Sequence, residues 1–378
     1  MTVVGARPNF MKAAPILKAI AVHNRAASPA GAIRHVLVHT GQHYDANLSD
    51  AFFKDLELPR PDVSLQVGSA SHAVQTAEIM SRFEPVLAAE QPDVLIVVGD
   101  VNSTVACALV AAKISYSAHG GRPVIAHVEA GLRSFDRTMP EEINRILTDQ
   151  LADLLFVTEE SAVRNLAREG LAPDTVHFVG NTMIDSLLAS VERAGESGIL
   201  ESLGLRDNGA TKRYALLTLH RPANVDRREA FTSILEGIQP LASQCPVVFP
   251  VHPRTRKQIA GHGLHDAALA GIRLIEPLGY LDFLCLMRHA SLVVTDSGGV
   301  QEETTCLGVP CVTVRENTER PVTTEVGTNI LAGVKAEGIR RAIERQLAPA
   351  RPGSVPPLWD GQAAQRIVEV LVARMRTV

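Results

Sequence analysis

No apolar stretch in this 378-residue chain approaches the roughly 20 residues that a membrane-spanning helix needs. The first residues hold no secretory h-region either, because Arg7 and Lys12 interrupt the short apolar runs. Basic charge is not in surplus: 37 Lys and Arg stand against 41 Asp and Glu, a formal net charge of −4. That balance excludes a nucleic-acid sleeve and a polybasic membrane patch, both of which need excess cations. Cysteine is scarce, with five residues, an odd count and no CxxC pair. A disulfide framework and a zinc ribbon are therefore not indicated, and the cysteines read as core. HExxH and GxSxG are missing too, so no metal site and no nucleophile elbow are expected. What remains is a reduced, cytoplasmic, soluble protein, with no nucleic-acid or membrane partner. It is 46% apolar and 21% charged, ordinary for a globular chain of two or more domains.

Short β-rich runs alternate with helical patterns from end to end. The strand candidates of the first half are Thr2–Val4, Arg34–His39, Asp93–Val98, Val124–Val128 and Leu154–Val157. A second series contains Tyr214–Thr218, Val247–Val251, Ile272–Leu274, Leu292–Thr295 and Cys311–Val314. Runs such as Val94-Leu95-Ile96-Val97-Val98 are apolar throughout, which suits strands buried on both faces of a parallel sheet. Helical patterns over 71–89, 103–113, 141–151, 160–169, 228–242 and 280–288 lie between them. The expectation is an α/β protein with two Rossmann-like, doubly wound sheets. The strand rhythm pauses over residues 170–210, so the first domain is placed at 1–170 and the second at 171–361. A proline-rich break at 349–361 precedes one last amphipathic stretch, 362–378.

Several strand ends carry chemistry-bearing residues. Gly5-Ala6-Arg7-Pro8 with Lys12 follows the first strand, where α/β folds bind anions; it fits neither GxGxxG nor the Walker pattern. Its two cations serve either a diphosphate or solvent. Gly99-Asp100-Val101-Asn102-Ser103 closes the most apolar strand, and Asp100 is either a ligand-edge carboxylate or a helix cap. In His127-Val128-Glu129-Ala130-Gly131-Leu132-Arg133, strand spacing turns His127 and Glu129 to one face. Taken alone, His127 reads as a satisfied core histidine. Pro140-Glu141-Glu142-Ile143-Asn144-Arg145 opens a helix, with Glu141 and Arg145 spaced to pair. Beside Asp100 and Glu129, Glu141 supplies a third carboxylate. In the second series, His220-Arg221 and Ser297-Gly298-Gly299-Val300-Gln301-Glu302-Glu303 follow strands. The Ser-Gly-Gly turn is either a plain tight turn or a phosphate cradle at a helix start, with Glu302 or Glu303 reaching ribose hydroxyls.

Taken together and in this order, these motifs resemble the non-hydrolysing UDP-N-acetylglucosamine 2-epimerase family. Thr40-Gly41-Gln42-His43, Glu276-Pro277-Leu278 with Tyr280 and Phe283, and Thr318-Glu319-Arg320-Pro321 extend the likeness over nearly the whole chain. The resemblance implies a GT-B-type fold of two Rossmann-like domains facing a cleft. In that fold the second domain holds the nucleotide and the final helix returns to the first. It implies that Asp100, Glu129 and Glu141 are catalytic carboxylates, that His220 is also catalytic, and that His220, Ser297, Gly298, Gly299 and Arg7 hold the diphosphate. It further implies that Phe283 packs on uracil, that Glu303 binds ribose, and that Lys12, Gln42, Arg145 and Arg320 lie by the substrate. No cofactor is called for, and a homodimer is expected. Asn9 and Phe10 depart from the Glu-Ala of many members. Gln42-His43-Tyr44-Asp45 departs from the Gln-His-x-Gln often seen in bacterial members activated by their own substrate. Beside the epimerase reading stand a hydrolysing epimerase, an epimerase of a related UDP-diacetamido sugar, and a GT-B glycosyltransferase. The set of three carboxylates favours epimerisation.

Overall fold

The computed structural model describes residues 1–41, 57–116, 121–264, 269–348 and 353–376, apart from the side chains of Arg7 and Ala30. By its internal contacts the chain divides into two compact units. One comprises Met1–Ala189 with Pro357–Val378, the other Ser190–Pro356.

The first unit is built on a seven-stranded parallel sheet. Its strands are β1 (Thr2–Val4), β2 (Leu37–His39), β3 (Val63–Ser64), β4 (Val94–Val98), β5 (Val124–Ala130), β6 (Leu154–Val157) and β7 (Val176–Phe178). The spatial order is β3-β2-β1-β4-β5-β6-β7. Helices α1 (Arg7–Ala26), α2 (His72–Glu90), α3 (Asn102–Lys113), α4 (Pro140–Leu151) and α5 (Glu160–Arg168) connect them, and α6 (Thr182–Gly195) follows β7. Strand β7 pairs with β6, which carries this unit beyond residue 170 to Ala189. The central strands are apolar because both faces are covered: Leu95, Val97, Ile125 and Phe156 are fully buried. Each such side chain contributes about 1.5–3 kcal/mol. From β1 the chain winds towards β3, and from β4 it winds towards β7. Right-handed crossovers therefore put α1 on one face of the sheet and α3, α4 and α5 on the other.

The second unit repeats the plan with six parallel strands: β10 (Ala215–Thr218), β11 (Val247–Pro250), β12 (Ile272–Ile275), β13 (Leu292–Thr295), β14 (Cys311–Thr313) and β15 (Asn329–Leu331). Their order is β12-β11-β10-β13-β14-β15. The main helices are α7 (Arg228–Ala242), α8 (Pro253–Gly261), α9 (Tyr280–His289), α10 (Gly298–Leu307) and α11 (Ala336–Leu347). The polar stretch Arg206-Asp207-Asn208-Gly209 is the turn of a small hairpin, β8 (Arg206–Asp207) with β9 (Ala210–Thr211). Both central residues have positive φ, 48° and 81°, as a two-residue hairpin loop requires.

Each sheet reverses its winding at one place, between β1 and β4 in the first unit and between β10 and β13 in the second. At such a switch point the loops diverge and leave a crevice outside the carboxyl ends of the strands. Four of the sequence motifs lie at those ends: Gly5–Lys12 after β1, Gly99–Asp100 after β4, His220–Arg221 after β10 and Asp296–Glu303 after β13. The cysteines Cys107, Cys245, Cys285 and Cys311 are buried, whereas Cys306 is half-buried. Among the described residues no helix is long and apolar enough to cross a membrane.

Candidate active site

In the first unit the turn after β1 is folded by Asn9. Its Oδ1 accepts the N–H groups of Gly5 (3.0 Å) and Ala6 (3.1 Å), and its Nδ2 donates to the carbonyl of Val98 at the end of β4 (2.8 Å). Asn9 thus joins the two strand ends that flank the switch point. Arg7 opens α1, and Gln42 lies outside the described residues. One turn into α1, Lys12 Nζ stands 2.6 Å from Glu129 Oε2, with both side chains buried.

Glu129 does not follow regular strand alternation. Its φ is +73°, and the pairing of β5 with β6 slips between Val128 and Ala130. The left-handed region is costly for a residue with a side chain, and such strain gathers at functional sites. Here it redirects the carboxylate. His127 meets Asp149 of α4 on one face, and the bulge turns Glu129 to Lys12 of α1 on the other. The expectation that strand spacing sets His127 and Glu129 on one face is overturned by this bulge. Gly131 follows with φ +77°, and a Cβ there would lie 2.8 Å from the Ala162 carbonyl oxygen of α5. Only glycine fits.

Asp100 lies on the turn after β4, held by Arg145 Nη1 on its carboxylate and by Asn144 Nδ2 on its carbonyl (2.8 Å). The expected pairing of Arg145 with Glu141 is not formed. Arg145 instead reaches Glu142 one turn back, at 2.6 Å, because Glu142 faces inward and Glu141 is exposed. Glu142 also accepts the N–H groups of Ser134 and Phe135 (2.9 Å each). Burial works to raise its carboxyl; the Ser134 N–H, Arg145 and the Phe135 N–H outweigh that and hold it below its ordinary value. Sequence reasoning selects Glu141 and passes over Glu142, which braces both Arg145 and the loop after β5. An apolar-inward phase rule does not separate the two, because the polar face of α4 turns inward while Leu147 is exposed.

In the second unit, Asp296 at the end of β13 organises the turn after β10. Fully buried, it accepts the N–H groups of His220 (3.1 Å) and Arg221 (2.9 Å) and pairs with His220 Nδ1 at 2.9 Å. Burial pushes the Asp296 carboxyl up; the His220 ring and these N–H groups prevail and hold it below its ordinary value. The His220 side chain is 54% exposed. Asp296, which the motif reading leaves without a role, fixes the ring so that Nε2 points away from this carboxylate.

Ser297 caps α10, and its hydroxyl makes no capping hydrogen bond to its own helix. Gly298 and Gly299 form the first turn, half-buried. A Cβ on Gly298 would lie 2.5 Å from Arg320 Nη1 and 2.8 Å from Glu319 Oε1, so a larger residue there would have to displace that buried ion pair. Arg320 is buried and bound within the unit by Glu302 (2.9 Å) and Glu319 (2.5 Å), against the helix start. Further along α10, Glu303 Oε1 accepts the hydroxyl of Tyr280 of α9 at 2.8 Å. Burial pushes the Glu303 carboxyl up to about 7, with the Tyr280 hydrogen bond working against the rise and Glu302 adding to it. Phe283 is half-buried on α9. Among the described residues no three His, Cys, Asp or Glu side chains gather as a metal ion needs.

Both switch points therefore hold charge at a strand end: a carboxylate set braced by cations in one unit, a helix start with a histidine in the other. A family model described as UDP-N-acetylglucosamine 2-epimerase matches residues 25–372. The chain belongs to that family. The UDP-N-acetylglucosamine 2-epimerase of Methanocaldococcus jannaschii is 42% identical over 377 residues, covering 98% of this chain and 97% of its own. The UDP-2,3-diacetamido-2,3-dideoxy-D-glucuronate 2-epimerase of Pseudomonas aeruginosa is 39% identical over 374 residues, with 98% of each covered. A crystal structure of the Methanocaldococcus jannaschii enzyme with UDP-GlcNAc and UDP is similar with a TM-score of 0.86 at 42% identity, covering 98% of this chain and 99% of that one. The epimerase family thereby accounts for the order of the motifs and for the paired Rossmann-like units of a GT-B-type chain.

Proposed function

We propose that this epimerase interconverts UDP-N-acetylglucosamine and UDP-N-acetylmannosamine by eliminating UDP and adding it back. The observation that carries the reading is the carboxylate set of the first unit, Asp100 and Glu129 at adjoining strand ends with Glu141 at the start of α4. The C2 proton of the sugar is not next to a carbonyl, so direct exchange at C2 is slow. Breaking the C1–O bond to UDP gives C1 oxocarbenium character and acidifies the C2 proton. A carboxylate takes that proton, UDP departs with the C1–O electron pair, and a C1=C2 glycal remains. Protonation of C2 from the other face and return of UDP to C1 complete the epimer. This sequence asks for an acid and a base on opposite faces, which three carboxylates supply.

The leaving diphosphate asks for N–H dipoles and cations. Ser297, Gly298 and Gly299 offer the start of α10, and His220 offers a ring nitrogen that Asp296 does not occupy. Arg7 and Lys12 add charge from the first unit, with Arg145 and Arg320 acting near the sugar. Phe283 receives uracil, and Glu303 receives the ribose hydroxyls. The first unit's role is proton transfer; the second unit's is nucleotide binding. We also propose a homodimer in the cytoplasm; light scattering that returns the mass of one chain at micromolar concentration would refute the dimer.

Proton NMR of UDP-N-acetylglucosamine with the purified protein in D2O tests the main reading. Deuterium at C2 of both epimers is the expected result. Free N-acetylmannosamine with UDP would indicate the hydrolysing reaction instead. No change with this substrate, together with turnover of the diacetamido uronic acid, would move the activity to the Pseudomonas type. Epimers without deuterium would overturn the elimination route.

A further inference from the structure

His127 is a buried titratable group that the proposed chemistry leaves idle. Its ring is fully enclosed, and each of its nitrogens meets an oxygen. Nε2 lies 2.8 Å from the carbonyl oxygen of Gly99, and Nδ1 lies 2.6 Å from Asp149 Oδ1. A carbonyl oxygen only accepts, so Nε2 carries a proton. A carboxylate also only accepts when ionised. Asp149 Oδ2 takes the Gly131 N–H at 3.0 Å and Arg133 Nη2 at 2.7 Å, so the carboxylate faces a buried guanidinium. An ionised Asp149 is the state those donors require, and Nδ1 must then donate as well. Burial pushes the Asp149 carboxyl up; His127 and Arg133 outweigh it and hold it below its ordinary value, which agrees with the geometry. Charge count agrees too. Lys12, Arg133 and Arg145 are three cations among Asp100, Glu129, Glu142, Asp149 and Glu169, and a charged ring makes four against five.

We propose that His127 is a resident imidazolium and that, through the Gly99 carbonyl, it positions Asp100 for proton transfer. The second half rests on the reading of Asp100 as catalytic. The Gly99–Asp100 turn is clamped from several sides. The Gly99 N–H donates to the Val128 carbonyl (3.0 Å), Asn144 holds the Asp100 carbonyl, and Arg145 holds its carboxylate. His127 supplies the clamp on the Gly99 carbonyl. Asp149 and Arg133 keep that clamp charged, and Glu169 grips Arg133 through Nε (2.8 Å) and Nη2 (2.6 Å). His127 is thus a positioning residue and not a catalytic one.

The test uses the full chain labelled with ¹⁵N-histidine. Two-bond ¹⁵N–¹H spectra at pH 8 should show one ring protonated on both nitrogens, and that signal should vanish in His127→Gln. A neutral ring with one bare nitrogen would overturn the first half. Asp149→Asn is the internal control, since its amide can donate to Nδ1 while Oδ1 accepts from Gly131 and Arg133. The ring should then become the neutral Nε2–H tautomer and still hold Gly99. Turnover should fall about 10²-fold in His127→Gln, the usual cost of a small misplacement, with UDP affinity within about twofold. In the double variant with Asp100→Asn the two losses should not multiply, because both act on one group. Fully multiplicative losses would overturn the positioning role. If Asp100→Asn alone keeps normal turnover, the catalytic reading of Asp100 fails while the NMR result on the imidazolium stands. Should His127→Gln not fold, Asp149→Asn carries the NMR measurement, where a ring that stays doubly protonated would refute the imidazolium, and His127→Asn takes over the double-variant test of positioning.

Discussion

Each unit sets an aspartate against a histidine, on the strand next to β4 in the first and at the switch point in the second, and the two pairs use the ring differently. In the first, His127 is fully enclosed and both nitrogens are bound to protein, one to Asp149 and one to Gly99. In the second, Asp296 is as deeply buried as Asp149, but the ring of His220 is more than half exposed and only Nδ1 is committed to the pair. The aspartate therefore does not by itself set the two rings apart. The second nitrogen decides: where protein occupies it the ring braces a loop, and where it is left outward the ring can serve a ligand. A sequence shows a histidine beside a strand end in both cases.

The sharpest way to break this comparison is to remove the orienting carboxylate of the outer pair. Asp296→Asn should lower turnover by about 10²–10³-fold, the worth of one donor placed on developing charge, and His220→Ala should do the same in steady-state assays. Glu129→Gln and Glu141→Gln should lower it by about 10²–10⁴-fold, the worth of a positioned acid or base, with UDP binding nearly intact. If all of these variants keep normal turnover, the assigned roles are wrong. In the inner pair the expected loss is of stability. Arg133→Met leaves Asp149 and Glu169 short of a cation and should cost about 3–5 kcal/mol in denaturant unfolding; an unchanged midpoint would show that the network contributes little. Gly131→Ala, which meets the Ala162 carbonyl in a left-handed conformation, should cost about 1–3 kcal/mol by the same measurement.

The smallest effect concerns Glu303, whose carboxyl is pushed up to about 7. If its ionised form receives the ribose hydroxyls, UDP affinity should rise from pH 6 to pH 8 by up to about tenfold, and Glu303→Gln should flatten the curve. Titration calorimetry at several pH values checks it, and an unchanged slope in the variant would place the titration elsewhere. The stability sign is opposite. Between the ordinary carboxylate value and about 7, the native state keeps a proton that the unfolded chain has released, so this group's contribution declines as pH rises through that window.

How much of this was legible in the residues follows from burial. In the two large sheets, the strands that patterning overlooks are β3, β7 and β15, and all three are edge strands. Val63-Ser64 and Val176-His177-Phe178 have no fully buried residue, so they lack the continuous apolar run that marks Val94–Val98. At the site, motif order locates both switch points. The period-two rule fails at Glu129 because it assumes an unbroken strand, and neighbouring Glu141 and Glu142 look alike because α4 turns its polar face inward. Asp149 and Asp296 escape notice for another reason. Their meaning lies in partners 22 and 76 residues away in sequence, which no local pattern reports.

The first unit is discontinuous. It recruits Pro357–Val378, where the indole of Trp359 donates to the Thr158 carbonyl at 2.9 Å. The two oxygens of Asp185 accept the N–H groups of Ala363 (3.2 Å) and Ala364 (2.7 Å), at the start of the closing helix Ala363–Met375. On the ribosome this reverses the order in which the halves are finished. The half begun first waits until Pro357–Val378 has been translated, with the surface of α1 that the closing helix covers still wet. The contiguous half, Ser190–Pro356, has by then left the exit tunnel almost complete. A chain released just before residue 357 would hold a complete second half and an unfinished first one. Protein quality control would meet that species whenever synthesis of this chain fails late.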